Sequence, residues 1–128
     1  MFKLHSLRLS VPVALWLGAI ALPAQSQQVD GAKLFSQQCA ACHSVVAGAP
    51  AGMGPNLHGV IGRPAGQIKG FAYSADFKKS LAKKNWTPEL LDKWLEEPQS
   101  VAPGTYMMYK QSDAAVRSAI IDYLQTVK

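Results

Sequence analysis

Between Val45 and Gly70 the chain carries seven of its ten glycines, together with Pro50, Pro55 and Pro64. Glycine loosens the backbone and proline removes a hydrogen-bond donor, so no helix or strand of ordinary length fits that stretch. Irregular segments longer than about 12–15 residues are uncommon in small domains unless they are functional or wrapped around something. Any fold for this chain must therefore give the loop a body to pack on.

The flanking segments read as helices. Asp30 can cap a first helix running through about Cys42, which sets Phe35, Cys39 and Cys42 on one face. Ser74 can cap a short helix with Phe77 and Leu81 on one side. Thr87-Pro88-Glu89 is a clear helix start, a cap followed by proline at the first helical position and a carboxylate near the positive end. Its apolar stripe is Leu90, Leu91, Trp94 and Leu95, and Pro98 ends it. A second loop spans Gln99 to Gln111. Ser112 or Asp113 then caps a last helix with the stripe Val116, Ala119, Ile120, Tyr123, Leu124 and Val127. Three main helices result, and they alone do not account for what the loops cover.

Residues 1–26 read as a cleaved secretory signal: Lys3 and Arg8 form a basic start, Val11–Leu22 an apolar run, and Ala24-Gln25-Ser26 the small residues a signal peptidase prefers. The run is short for a membrane span, so no membrane insertion is expected after cleavage. A mature domain of residues 27–128 follows. Losing Lys3 and Arg8 leaves 11 of the 13 basic residues against all 8 acidic ones, and the net charge falls from +5 to +3. A charge that small gives little support to nucleic-acid binding. A domain of this length buries only a thin core, a size at which a cofactor or staple often helps.

Cys39-Ala40-Ala41-Cys42-His43 supplies the missing body. C-x-x-C-H is the attachment signature of c-type haem. Two thiols three residues apart can each bond a porphyrin vinyl carbon, and the next residue, His43, can then offer a ring nitrogen to the iron. A thioredoxin-like pair would follow a strand, whereas this one ends a helix. Zinc needs four ligands, and adjacent Cys42 and His43 are hard to aim at one ion. A disulfide across two residues would be strained. Export agrees with haem, since c-type haem is attached outside the cytoplasm. On the other face of the iron the mature chain offers Met53, Met107, Met108 and His58, although methionines are more often core filler.

The mature chain resembles the class I cytochrome c family, of the mitochondrial and bacterial c2 or c550 type. The resemblance rests on Cys39–His43, Gly54-Pro55-Asn56-Leu57-His58-Gly59, Gly62-Arg63, Phe71-Ala72-Tyr73-Ser74, Trp86, Trp94-Leu95, Pro98, Pro103-Gly104-Thr105-Tyr106-Met107 and Tyr123-Leu124. It implies an all-α cytochrome c fold, three main helices plus long loops wrapped around one covalent haem c with its iron. It implies that Met107 is the sixth ligand, with Met108 a decoy one residue away. It implies that the Pro55 carbonyl accepts the second ring N–H of His43, and that Arg63, Tyr73, Trp86 and Thr105 lie near the haem propionates. His58 is read as structural. Trp94 departs from the pattern, standing where the family often has a tyrosine near the methionine sulfur.

With both axial positions filled, such a haem carries single electrons, and no Ser/His/Asp set, paired carboxylates or phosphate loop supports an enzyme. The expectation is a periplasmic electron carrier, monomeric, docking briefly on other redox proteins at the exposed haem edge. Lys78, Lys79, Lys83 and Lys84, with Lys69, Lys93 and Lys110, would steer acidic surfaces of those partners. The alternatives are a dedicated cytochrome subunit of a dehydrogenase or oxidase, and a haem with an open sixth site that binds gas or substrate.

Overall fold

The structure, a computed structural model, describes residues 29–128. The expected signal segment and its expected cleavage point lie outside the described residues. The described residues form five helices: α1 (Gly31–Gln38), α2 (Ala75–Ser80), α3 (Pro88–Glu96), α4 (Pro98–Val101) and α5 (Ala114–Thr126). Among the described residues there is no strand. A single antiparallel bridge joins Pro64 to Asn85, and Gly62 N–H and Trp86 N–H close the same pairing onto the Trp86 and Arg63 carbonyls at 2.7 and 2.9 Å. No helix among the described residues is long and apolar enough to cross a membrane.

The expected caps form. Asp30 Oδ1 accepts from Lys33 N–H, Ser74 Oγ from Phe77 N–H and Thr87 Oγ1 from Leu90 N–H, each at 3.1 Å. Asp113, rather than Ser112, caps α5, accepting from Ala115 N–H at 2.8 Å. Each such cap contributes about 1 kcal/mol by satisfying an orphan donor. Two boundaries differ from the sequence reading. α1 stops at Gln38 instead of running to Cys42, because the Phe35 carbonyl accepts from both Cys39 and Ala40 N–H and the Cys39 carbonyl from both Cys42 and His43. This tightened, irregular turn carries the motif out of the helix. Pro98 ends α3 as expected, and it also starts α4, where its fixed φ suits the first helical position.

α1 packs on α5, and α3 packs on α5. Gly31 makes the first contact possible: a Cβ there would run into the Ala119 carbonyl and lie 3.0 Å from Tyr123 Cβ. Phe35 then meets Tyr123 with ring centroids 5.5 Å apart. The buried core includes Phe35, Phe77, Leu81, Trp86, Leu91, Trp94, Leu95, Ile120, Ile121 and Leu124. Burial of each large side chain is worth roughly 1.5–3 kcal/mol. The expected α5 stripe omitted Ile121 and Arg117, which are also buried. Arg117 ties α5 to α3 through Asp92 Oδ1 at 2.7 Å and donates to the Gln111 and Ser112 carbonyls at 3.0 and 2.9 Å. Its guanidinium pKa is raised, chiefly by the bond to Asp92. Arg117 thereby fastens the end of the second loop to the helical frame.

Candidate functional site

The helices and loops enclose a cavity of about 410 Å³. Every site residue expected from the sequence lines it: Cys39, Cys42, His43, Pro55, Arg63, Tyr73, Trp86, Thr105 and Met107. Phe35, Leu57, Val60, Phe77, Leu91, Trp94, Leu95, Ile120 and Leu124 make most of the remaining wall apolar. The glycine- and proline-rich loop borders the cavity through Gly54, Pro55, Leu57, Val60, Arg63, Pro64 and Gly66. The loop therefore packs around a space, as its length required.

Cys39 and Cys42 are free, half-buried thiols. Burial, reinforced by the charge of Cys42, pushes the Cys39 thiol up to about 11. His43 follows immediately, and its Nδ1 lies 2.8 Å from the Pro55 carbonyl oxygen. That oxygen can only accept, so Nδ1 carries the proton and Nε2 keeps its lone pair. Burial lowers the imidazole pKa and so favours the neutral ligand form, while the Pro55 bond opposes that shift without reversing it. Gly54 lies flat against this ring, since a Cβ there would sit 2.6 Å from Nδ1.

Met107 comes from the second loop. Trp94, on α3, donates its indole N–H to Met107 Sδ at 3.1 Å. The tryptophan that departs from the family pattern thus still reaches the sulfur. Trp94 is itself held edge-on by Phe77 and Trp86, at centroid distances of 5.5 and 5.4 Å. Met108, by contrast, is 78% exposed, as are Met53 at 75% and Tyr106 at 71%.

Arg63 donates to the His58 and Asn56 carbonyls at 2.7 and 2.8 Å. Burial lowers its pKa, and nearby Tyr73 opposes this. Tyr73 accepts from Ile68 N–H at 3.4 Å, and burial raises its phenol pKa. His58 turns its Nδ1 to the Val45 carbonyl at 3.1 Å, in keeping with a loop-holding part.

Other residues received no role of their own in the sequence reading. Asn56 donates to the Val46 and Ala49 carbonyls at 2.8 and 2.9 Å and accepts from His58 N–H, so it ties the first loop to itself. Gln38 accepts from Tyr109 Oη at 2.6 Å and from Gln111 Nε2 at 3.2 Å, which links the motif turn to the second loop. Gln99 braces that loop through Thr105 and Gly104. Asn56, inside a proline–glycine loop, carried a recognisable turn signal. The glutamines carried none.

The donor set fits a haem. Two free thiols, an imidazole with one available nitrogen and a thioether share one apolar cavity. Among the described residues no group of three or more His, Cys, Asp or Glu side chains could hold a metal ion on its own. These features define a small c-type haem protein.

The chain belongs to the cytochrome c family. The sequence model of Cytochrome c matches residues 28–128. The chain is 42% identical over 102 residues to the cytochrome c2 of Rhodopila globiformis, covering 78% of this chain and 92% of that one. It is 40% identical over 98 residues to the cytochrome c-550 of Ancylobacter novellus, with 75% and 91% covered. It is 39% identical over 105 residues to the cytochrome c of Kluyveromyces lactis, with 78% and 90% covered. The family binds covalent haem c with its iron, and its members are electron carriers rather than enzymes.

Proposed function

We propose that the chain is an exported, periplasmic one-electron carrier whose haem is bonded to Cys39 and Cys42 and whose iron is ligated by His43 and Met107. The observation that carries this reading is the Trp94 N–H bond to Met107 Sδ, which fixes that sulfur at the wall of the cavity His43 lines, while Met108 is exposed. The haem supplies the redox change. The chain's residues hold it still: Pro55 fixes the tautomer and plane of His43, and Trp94 orients Met107. Arg63, Tyr73, Trp86 and Thr105 border the cavity and suit its propionates with donors. The apolar walls exclude water from the rest. Signal cleavage near residue 26 and a monomeric state belong to the same proposal.

Carbon monoxide binding to the reduced, haem-loaded variants tests the ligand assignment. Met107→Ala is expected to bind the gas at neutral pH, and Met108→Ala to exclude it. The opposite pattern would move the ligand by one residue.

A further inference from the structure

Every methionine among the described residues lines the same cavity: Met53, Met107 and Met108. What reaches their sulfurs differs. Met107 is partly buried, and the Trp94 N–H occupies its Sδ at 3.1 Å. Met53 is 75% and Met108 78% exposed, so each stands on the cavity rim with most of its side chain in solvent. Met53 immediately precedes Gly54, whose backbone lies flat against the His43 ring. Met108 immediately follows Met107. One exposed thioether therefore adjoins the glycine under His43, and the other adjoins the thioether proposed as sixth ligand.

A thioether is readily oxidised to a sulfoxide, which makes a flexible apolar side chain polar. The reaction needs a free sulfur lone pair and a path for the oxidant. Met53 and Met108 have the path, while Met107 is shielded and has one lone pair engaged. With hypochlorous acid the sulfur lone pair attacks chlorine and hydroxide leaves. Water then displaces chloride from the sulfur. The net products are sulfoxide, chloride and a proton, with sulfur oxidised by two electrons and chlorine reduced by two.

Such a change one residue from Met107 is tolerable only if the loop stays in place. Gln99 provides for that. Its Oε1 accepts from Gly104 N–H at 3.0 Å, and its Nε2 donates to the Thr105 carbonyl at 2.9 Å. The same Nε2 lies 3.7 Å from Met108 Sδ. A primary amide has two N–H donors, so the second faces a sulfur, which is a weak acceptor. A sulfoxide oxygen is a stronger one. The oxidised side chain thus gains a partner, and the loop gives up neither of its existing bonds to Gln99.

We infer that Met53 and Met108 are sacrificial oxidation sites, which take up hypohalous acids at the cavity rim and spare the thioether of Met107. The inference rests on the proposed ligation by Met107, because that is the sulfur whose loss would open the iron.

The ferric, haem-loaded protein is titrated with limiting hypochlorous acid and quenched. Peptide mass spectrometry, with fragmentation to separate Met107 from Met108, gives the site of each added oxygen. The far-red band follows the iron–methionine bond in the same samples. Up to about two equivalents, the added oxygen is expected at Met53 and Met108 with the band kept. The double variant M53L/M108L keeps the side-chain size and removes both oxidisable sulfurs. Its band before oxidation is expected to match the wild type, and its Met107 is expected to oxidise at an oxidant ratio about threefold lower, since one sulfur remains where three competed.

Oxidation of Met107 in the first equivalent would overturn the inference. So would loss of the band on oxidation of Met108 alone, or an unchanged oxidant ratio in M53L/M108L. Each of these leaves the ligand assignment intact. Absence of the band before any oxidant is added would instead remove the Met107 ligation, and the inference with it.

Discussion

Replacing Trp94 separates what its N–H does from what its ring does. Trp94→Phe removes the donor to Met107 Sδ, which lies 3.1 Å from the indole nitrogen. It keeps an aromatic ring between Phe77 and Trp86. A hydrogen bond of this kind is worth about 0.5–1.5 kcal/mol, and a thioether is a weak acceptor, which places it in the lower half of that range. The smaller ring adds a packing loss of about 1–2 kcal/mol in a buried site. Trp94→Tyr suffers a similar packing loss yet retains a donor, so the difference between the two variants isolates the hydrogen bond. The assay follows the ferric far-red band that reports iron–methionine bonding during urea titration of the haem-loaded protein. Methionine ligation in Trp94→Phe is expected to be weaker than in Trp94→Tyr by roughly two- to fivefold, which is about 0.5–1 kcal/mol. Equal ligation in the two variants would refute the argument and leave Trp94 as packing alone.

Other perturbations reach different links. Gly31→Ala drives a Cβ into the Ala119 carbonyl and is expected to cost about 1–3 kcal/mol in urea unfolding, with the visible spectrum unchanged. Arg117→Gln frees the Gln111 and Ser112 carbonyls, so the far-red band is expected to disappear at lower urea than the helical circular dichroism does. Arg117→Lys is expected to recover only part of this, because one ammonium cannot reproduce the spread of a guanidinium. Burial holds the Tyr73 phenol above its ordinary 10.0, so the folded protein keeps that proton longer than the unfolded chain. The resulting stabilisation is complete below pH 10 and lost as pH rises through the folded value. Comparison with Tyr73→Phe in alkaline unfolding series is expected to show that component missing.

Much of the frame was legible because its causes are local. Asp30, Ser74, Thr87 and Asp113 begin helices through side-chain bonds to backbone only two or three residues on. Cys39–His43 is local too, so the attachment motif could be read without the fold. The end of α1 was not legible, since the turn at Phe35–His43 is a matter of which carbonyl takes two donors. Arg117 was invisible for a related reason: a charged residue at a helical position reads as solvated, and only the fold brings Asp92 and two carbonyls to it. The lysine cluster was readable as charge, whereas the turning of Ser74 and Phe77 toward the cavity depends on how α2 packs. Met53 and Met108 looked like ligand candidates in sequence. Their exposure follows from loop paths fixed by Gln99 and the turn before Pro55, which no periodicity encodes.

The central claim is that the iron is closed by His43 and Met107. The most direct measurement is the visible spectrum of the purified haem-loaded protein, oxidised, reduced, and reduced under carbon monoxide. The account predicts a ferric far-red methionine band and no carbon monoxide complex at neutral pH. Absence of that band together with ready carbon monoxide binding would contradict it, and would make this an open-site haem.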